Sequence, residues 1–367
     1  MRIRLRPTSL TCIVLSVAIS AVLAGCSSAP KASVAAASSS GAPAPLNPAV
    51  PVSFAVTGTE GEAGIYVALD RGYFKAEGLD VTLRQIPSFS TSLPLLGSGQ
   101  LDFATGGPNP DVWNAIENNV PVKIVAAIAT GVPGTAQSAL VVSDQLIKSG
   151  AYQGLGSLKG KTIAINALGS SSEYYVDKIL AKAGLTESDV HLVALDFADM
   201  ETAIANGKID AALSVEPFIT SMSKAGLAKS VITTTQAVPG GLGSMIVISP
   251  VFASQHPAAA DRVMYAFLKG QRDYLNAFIN GKDPADKAAI IKILVKHTSV
   301  TNPALFNQMG LSGSEPTGEF ALSSLSQFQT FFISQGSVKQ PLAPSKMVDF
   351  SYLNWANTRL DAQSGSQ

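Results

Sequence analysis

The sequence predicts an α/β protein built as two lobes, on three observations. Apolar, β-branched runs of strand length alternate with amphipathic helical stretches over most of the 367 residues. The strand–helix order that opens at Pro51 recurs about 110 residues further on, as a degenerate repeat of one βαβαβ unit. Roughly 315 residues remain for the folded body, more than the ~250–300 at which a single core usually divides.

The N-terminal region stands apart from that body. Arg2, Arg4 and Arg6 precede an apolar run from Leu10 to Leu23, followed by Leu-Ala-Gly-Cys (Leu23 to Cys26) and a change to Ser27, Ser28, Ala29 and Pro30. This predicts a secretory signal over residues 1–25. Small residues before a cysteine resemble the lipobox of bacterial lipoproteins, which puts a lipid on Cys26. The apolar run is shorter than the ~18–20 residues of a membrane span, and no basic stop-transfer cluster follows. Cys12 falls in the signal, so neither a disulfide nor thiol chemistry is expected once Cys26 is lipidated. Basic and acidic residues balance at 26 each; without the three signal arginines the count is 23 against 26, or −3. With no Lys/Arg-rich run either, nucleic acid is not an expected partner. Residues 26–51, rich in Ala, Ser and Pro with Lys31 as the single charge, read as a flexible tether.

The first copy of the repeat opens with a strand over Pro51 to Thr57 and a polar loop. A helix follows with Ile65, Tyr66, Leu69 and Tyr73 on one face and Gly72 as a stop. A strand over Asp80 to Ile86, a short helix closing at Gly97 and Gly99, and a strand over Leu101 to Ala104 come next. Asn109 then reads as an N-cap, with Pro110 in the first helical position and Asp111 near the positive helix end. A fourth strand covers Lys123 to Thr130.

The second copy has strands over Lys161 to Asn166, Val190 to Leu195 and Lys208 to Val215, with helices stopping at Gly184 and Gly207. The passages L-L-G-S-G-Q-L-D-F-A (Leu95 to Ala104) and A-I-A-N-G-K-I-D-A-A (Ala203 to Ala212) share a Gly-x-[Ile/Leu]-Asp placement. After a β-rich run at Met245 to Ser249 comes a helical tail, with helix starts at His256-Pro257, Asp283-Pro284 and Asn302-Pro303. Phe320, Leu325, Phe328, Phe331 and Phe332 are read as its core face. Two chain crossings, near Ser138 to Ser143 and Val238 to Ile248, are expected to form a hinge. The expected division is lobe 1 over 52–137, lobe 2 over 138–240, and a return to lobe 1 over 241–367.

Motifs for catalysis are missing. His191, His256 and His297 have no second ligand at metal spacing. No G-x-S-x-G elbow or phosphate-binding loop occurs, and glycines 58, 61 and 64 do not fit a dinucleotide fingerprint. Glu60 and Glu62 read as a solvated loop. Polar loops do stand at the carboxyl ends of the predicted strands, where open α/β sheets bind ligands: 58–62, 88–91, 106–109, 169–172, 197–199 and 216–218. Among them, Ala167 to Tyr175 (A-L-G-S-S-S-E-Y-Y) leads from strand to helix. Ser170 and Glu173 can form a capping box there, leaving hydroxyls and free amides to meet a ligand.

Several stretches together resemble the periplasmic solute-binding proteins of the nitrate/sulfonate/taurine class, which also includes binders of thiamine-precursor pyrimidines. They are G-I-Y-V-A-L-D-R-G-Y-F-K-A-E-G-L-D-V-T-L, L-G-S-G-Q-L-D-F-A-T-G-G, P-V-K-I-V-A-A-I, S-L-K-G-K-T-I-A-I-N-A-L-G-S-S-S-E-Y-Y, A-K-A-G-L-T-E-S-D-V and A-N-G-K-I-D-A-A-L-S-V-E-P-F. They run in order through Val52 to Trp355.

The resemblance implies a two-lobed type II (Venus-flytrap) fold with two hinge crossings and a helical C-terminal tail. It also implies a monomeric lipoprotein, exported and anchored at the membrane, that hands a small solute to an ABC permease. No cofactor or metal is implied. Ligand contacts would come from Thr59, Glu60, Ser90, Thr91, Gly107, Asn109, Ser170, Ser171, Ser172 and Glu216, with Phe218 as a stacking face. Tyr66, Phe89, Tyr174 and Phe197 are further rings within reach of these loops. The Val-Glu-Pro-Phe run resembles a W-E-P-F motif, with Val215 in place of tryptophan. The loops carry Glu60, Glu62, Asp199 and Glu216 but no Lys or Arg, which favours a zwitterion or a neutral polar ring. Two alternatives stay open: a pyrimidine-synthase-like enzyme on the same fold, and a ligand sensor without transport.

Overall fold

The computed structural model describes residues 43–364 apart from 87, 282 and 283. The expected signal, Cys26, most of the tether and Asp283 lie outside the described residues. Within them, ten strands form two sheets of five. They are β1 (Val50–Val56), β2 (Leu79–Gln85), β3 (Phe103–Gly106), β4 (Lys123–Thr130), β5 (Ser138–Ser143), β6 (Thr162–Ile165), β7 (His191–Ala194), β8 (Ala211–Val215), β9 (Ala228–Thr233) and β10 (Leu242–Ile248). One sheet runs β2-β1-β3-β10-β4 and the other β7-β6-β8-β5-β9. In each, three strands pair in parallel and an antiparallel strand follows: β10 beside β3 and β4, β5 beside β8 and β9.

The shared Gly-x-[Ile/Leu]-Asp placement has a physical reason. Asp102 Oδ2 accepts from Ser53 N at 2.7 Å and Ser53 Oγ at 2.8 Å, tying the start of β3 to β1. Asp210 Oδ2 accepts from Thr162 N at 2.9 Å, tying the start of β8 to β6. Their carbonyls also correspond: Ser249 N donates to Asp102 O and Ser143 N to Asp210 O, where the antiparallel strand ends. One residue type at one place thus aligns three strands in each sheet.

Seven helices place the site: α1 (Ala63–Asp70), α2 (Pro110–Glu117), α3 (Ser171–Ala181), α4 (Phe197–Ala205), α5 (Pro257–Phe278), α6 (Leu322–Ser334) and α7 (Ser351–Ser364). The helix expected from about Asp199 begins two residues earlier. Helices α1 and α5 cross closely because each has a glycine at the crossing. A Cβ on Gly64 would strike Gln271, and one on Gly270 would strike the Gly64 carbonyl. Helix α6 is the apolar tail segment expected from sequence, and it touches elements beside both sheets. Phe332 meets Trp113 of α2 edge-on at 5.5 Å, and Phe328 meets Tyr174 of α3 at 4.1 Å.

The folded body begins earlier than the composition suggested. Arg262 Nη2 donates to Ala44 O at 2.8 Å and Leu46 N to Glu77 O at 3.1 Å, so the chain is held from Ala44 rather than from residue 52. Arg262 and Arg359 both pair with buried Glu77, at 2.9 and 2.6 Å.

The crossings are residues 131–137 and 234–241. The stretches expected as crossings are largely β5 and β10 themselves. The two passages bond to each other: Gly131 N donates to Gly241 O at 2.8 Å and Gly240 N to Gly131 O at 2.9 Å. A third segment, 309–314, lies against them and was not anticipated. Thr130 N donates to Gly313 O and Ala136 N to Leu311 O. Two buried carboxylates hold this strap. Glu60 accepts from Ser312 Oγ at 2.9 Å and from Tyr274 OH, and Glu216, beyond β8, accepts from Gly310 N at 2.8 Å. Burial is the main cause that pushes both carboxyls above their ordinary value of 4.5.

Two outcomes follow for stability. Asp102→Ala and Asp210→Ala should each lose about 1–3 kcal/mol, the penalty for a strand-end amide left without its acceptor. The double variant should lose the sum, because the two ties lie in different sheets; urea unfolding checks both. For Glu60 the folded carboxyl titrates above the unfolded one, so its contribution is full at low pH and is lost as pH rises from about 4.5 towards the raised value. Glu60→Gln lacks this titration. Its stability relative to wild type should therefore improve as pH rises above about 4.5 in the same assay.

Candidate ligand cleft

The strand-end loops of the two sheets converge on one cavity of about 590 Å³. The first sheet supplies Thr57 and Thr59 after β1, Gly107 and Asn109 after β3, and Thr130 at the end of β4. The second supplies Asn166 and Ala167 after β6, Ser171 and Ser172 of α3, Asp196 and Phe197 after β7, and Val215 at the end of β8. The crossings contribute Thr135, Gln137, Thr234 and Gly241, and the strap contributes Ser312 and Gly313.

Of the sequence-derived candidates, Thr59, Gly107, Asn109, Ser171 and Ser172 meet at this wall. The others are set apart from it. Glu60 faces Tyr274 and the strap. Ser90 donates to Asp111, and Thr91 Oγ1 donates to Ser88 O at 2.7 Å. Glu216 accepts from Thr220 N and Thr220 Oγ1, both at 3.0 Å, besides Gly310 N. Its carboxylate is held by Thr220, in the helix over Phe218–Lys224, and by the strap rather than turned to the cleft. Phe218 stacks on Phe197 with centroids 6.4 Å apart and backs that ring from outside the wall.

The Glu60/Glu62 loop is not solvated: the two residues are 4% and 2% exposed. Glu62 accepts from the amides of Thr57, Gly58 and Thr59 at 2.7–3.0 Å, from Tyr66 OH at 2.7 Å, and from Thr105 Oγ1. A carboxylate surrounded by so many donors is a fixed part of the wall, and it locks the β1 loop in place. Burial, with the adjacent Glu62 carboxylate, in turn drives the Tyr66 phenol far upward.

At the start of α3 the serines divide their work. Ser170 is the N-cap: its Oγ accepts from Ser172 N at 3.2 Å and donates to Ala167 O at 2.6 Å. Glu173 reaches back as expected, but to Gly169 N rather than Ser170 N. The first helical amide, Ser171 N, donates to Asn109 Oδ1 at 3.1 Å. Asn109 therefore does not cap α2 with its side chain; it reaches across to the other sheet's helix. The hydroxyls of Ser171 and Ser172 are left to the wall.

The wall's charge is one-sided. Glu62 and Asp196 are its acidic residues, and no Lys, Arg or His lines it among the described residues. Sequence reasoning missed Thr130, Gln137, Asn166, Asp196 and Ser312. Asn166 and Asp196 sit immediately after predicted strands and follow the rule used for the other loops. The strap residues carry no such signal.

A family model for NMT1/THI5-like proteins matches residues 60–277. A Brucella abortus chain designated a binding protein is 25% identical over 284 residues, covering 76% of this chain and 83% of that one. A 4-amino-5-hydroxymethyl-2-methylpyrimidine phosphate synthase of Saccharomyces cerevisiae is 27% identical over 157 residues, 41% of this chain and 42% of the synthase. Among solved structures, the alkanesulfonate-binding protein of Xanthomonas axonopodis bound to MOPS superposes with a TM-score of 0.61 at 19% identity. It covers 84% of this chain and 99% of that one. The periplasmic nitrate-binding protein of Synechocystis gives 0.65 at 14% identity, covering 88% and 91%. The two five-stranded sheets fit the two-lobed fold of these neighbours, and the family model spans more than half of the chain, which belongs to the NMT1/THI5-like family.

Proposed function

We propose that this chain is the solute-binding component of an ABC importer, exported, lipidated at Cys26, and without catalysis of its own. The observation that carries the reading is one cavity shared by the carboxyl ends of strands from both sheets. Relatives named as binding proteins, and structural neighbours named for sulfonate and nitrate binding, support it. A solute that touches Thr59 and Asn109 on one side and Ser171 and Ser172 on the other gains most when the lobes are together. Binding then shifts the population towards the closed clamp about the crossings at 131–137 and 234–241. The closed form would be what the permease recognises.

The yeast synthase match keeps a second reading in view, an enzyme on the same fold. Against it, the described wall contains no histidine or cysteine to move a proton or attack a substrate.

A thermal-shift screen of sulfonates, amino acids, pyrimidines, amines and aromatic acids should give one class that raises Tm with concentration. Product formation from any hit, followed by mass spectrometry, would move the chain to the enzyme reading. With a hit in hand, Ser171→Ala/Ser172→Ala should weaken binding by about 3- to 100-fold, the worth of one or two neutral hydrogen bonds, with Tm unchanged. Ser170→Ala should do the reverse, lowering stability by about 1 kcal/mol as a lost N-cap while affinity holds.

A further inference from the structure

We infer that Tyr175 is a positioning residue of the cleft: its hydroxyl ties α3 to the end of the second crossing and so sets where Ser171 and Ser172 stand towards a solute. The inference rests on the solute-binding reading and adds to that site a residue that acts through others.

The first ground is where Tyr175 stands. It follows Ser171 by four residues and Ser172 by three, so the three share one face of α3, a turn apart. All three line the same cavity. Tyr175 is 8% exposed, and its ring meets those of Tyr174 and Phe328 edge-on at 5.4 and 5.8 Å. A buried phenol usually gives its hydroxyl to a fixed partner. Here Tyr175 OH donates to Leu242 O at 3.2 Å.

The second ground is what that partner is. Leu242 opens β10 directly after the second crossing, and its surroundings are fixed. Leu242 N donates to Ser324 Oγ of α6 at 2.8 Å, and the preceding carbonyl, Gly241 O, accepts from Gly131 N of the first crossing at 2.8 Å. The phenol therefore joins a helix of the second lobe to a strand of the first sheet where the chain passes between them. The approach needs a glycine at 241: a Cβ there would stand 3.1 Å from Tyr175 OH and 3.0 Å from Val238 O.

The start of α3 makes a separate bond to the first lobe, from Ser171 N to Asn109 Oδ1 at 3.1 Å. The two bonds leave α3 one turn apart, about 6 Å along its axis. They also end on different elements, since Asn109 follows β3 and Leu242 opens β10. With Tyr175 tied at the crossing, where two lobes on a hinge move least against each other, α3 swings about that point. Its serine end then travels towards Asn109 or away from it. The tie thus fixes the path along which Ser171 and Ser172 approach the opposite wall.

Hydrogen–deuterium exchange of the purified full chain, quenched on the millisecond scale and read by mass spectrometry, tests this without any solute. Tyr175→Phe keeps the ring and removes the hydroxyl. It should speed exchange at the Ser171 amide by about threefold or more beyond any change in β6 and β8, a loss on the scale of one hydrogen bond. Gly241→Ala keeps the phenol but displaces its hydroxyl, and should have the same effect at Ser171. In an Asn109→Ala chain the Ser171 amide has already lost its acceptor, so Tyr175→Phe should add less than about twofold there. A Ser171 amide that only follows β6 and β8 in both single variants would overturn the inference and leave Tyr175 a packing residue. Full additivity with Asn109→Ala would overturn it as well. Because no solute is added, a silent thermal-shift screen counts against the solute-binding reading alone.

Discussion

The cleft exists because an aspartate at the start of the third strand in each half holds the amide of the first strand. Asp102 and Asp210 do the same task from the same place in the two halves, and both pass their carbonyls to the antiparallel strand beside them. A strand that slipped by one residue would turn its buried side chains outward, so a charge-assisted tie at the strand start fixes the register for the whole sheet. With starts aligned, the carboxyl ends are aligned too. The loops after β1, β3, β6 and β7 then meet in one cavity. Each half alone would present only one wall.

Buried carboxylates are a second theme. Glu60, Glu62 and Glu216 lie within the folded body, and each is surrounded by N–H and O–H donors rather than by cations. Fixed donors replace part of the water these groups lose on burial. They serve as clips. Glu62 locks the β1 loop, while Glu60 and Glu216 hold the 309–314 strap against both crossings. The cleft wall is preorganised as a result, so a ligand need not order it. The amides of Thr57, Gly58 and Thr59 tied up in the Glu62 clip are withdrawn from ligand binding.

Much of this was legible in the sequence, and the failures share one cause. The succession of strands in the two copies and the strand-end loops follow from patterns of local spacing, as do the helical tail and its core face at Phe328 and Phe332; the strands at 138–143 and 228–233 do not. Local spacing also finds Asn109, Ser171 and Ser172, although it gives Asn109 a cap that the side chain does not make. It fails where partners are far apart in the chain. Glu60 reads as a solvated loop because its donors, Tyr274 and Ser312, lie more than 200 residues away. Glu216 reads as a ligand group because its third donor, Gly310, belongs to a segment with neither helical nor strand periodicity. Composition alone also places the end of the tether too late, since Ala44 is held by Arg262 through its backbone carbonyl, which any residue carries.

The contacts between the lobes are of two unequal kinds, and the difference sets what a ligand can move. Tyr174 of α3 is buried against Phe328 and Phe331 of α6, with centroids 4.1 and 5.6 Å away, and all three side chains are under a tenth exposed. Parting that seam would expose aromatic surface worth roughly 1.5–3 kcal/mol per ring, besides the edge and tilt contacts themselves. The bond from Ser171 N to Asn109 is a single neutral hydrogen bond, worth about 0.5–1.5 kcal/mol net. A ligand shifts an equilibrium only by its differential affinity for the two states. A small solute can match the worth of the Asn109 bond, but it has little leverage over the aromatic seam. If the lobes move as proposed, the least costly motion keeps α3 against α6 and parts the cleft on the Asn109 side, with the mutually bonded crossings and the strap as its pivot.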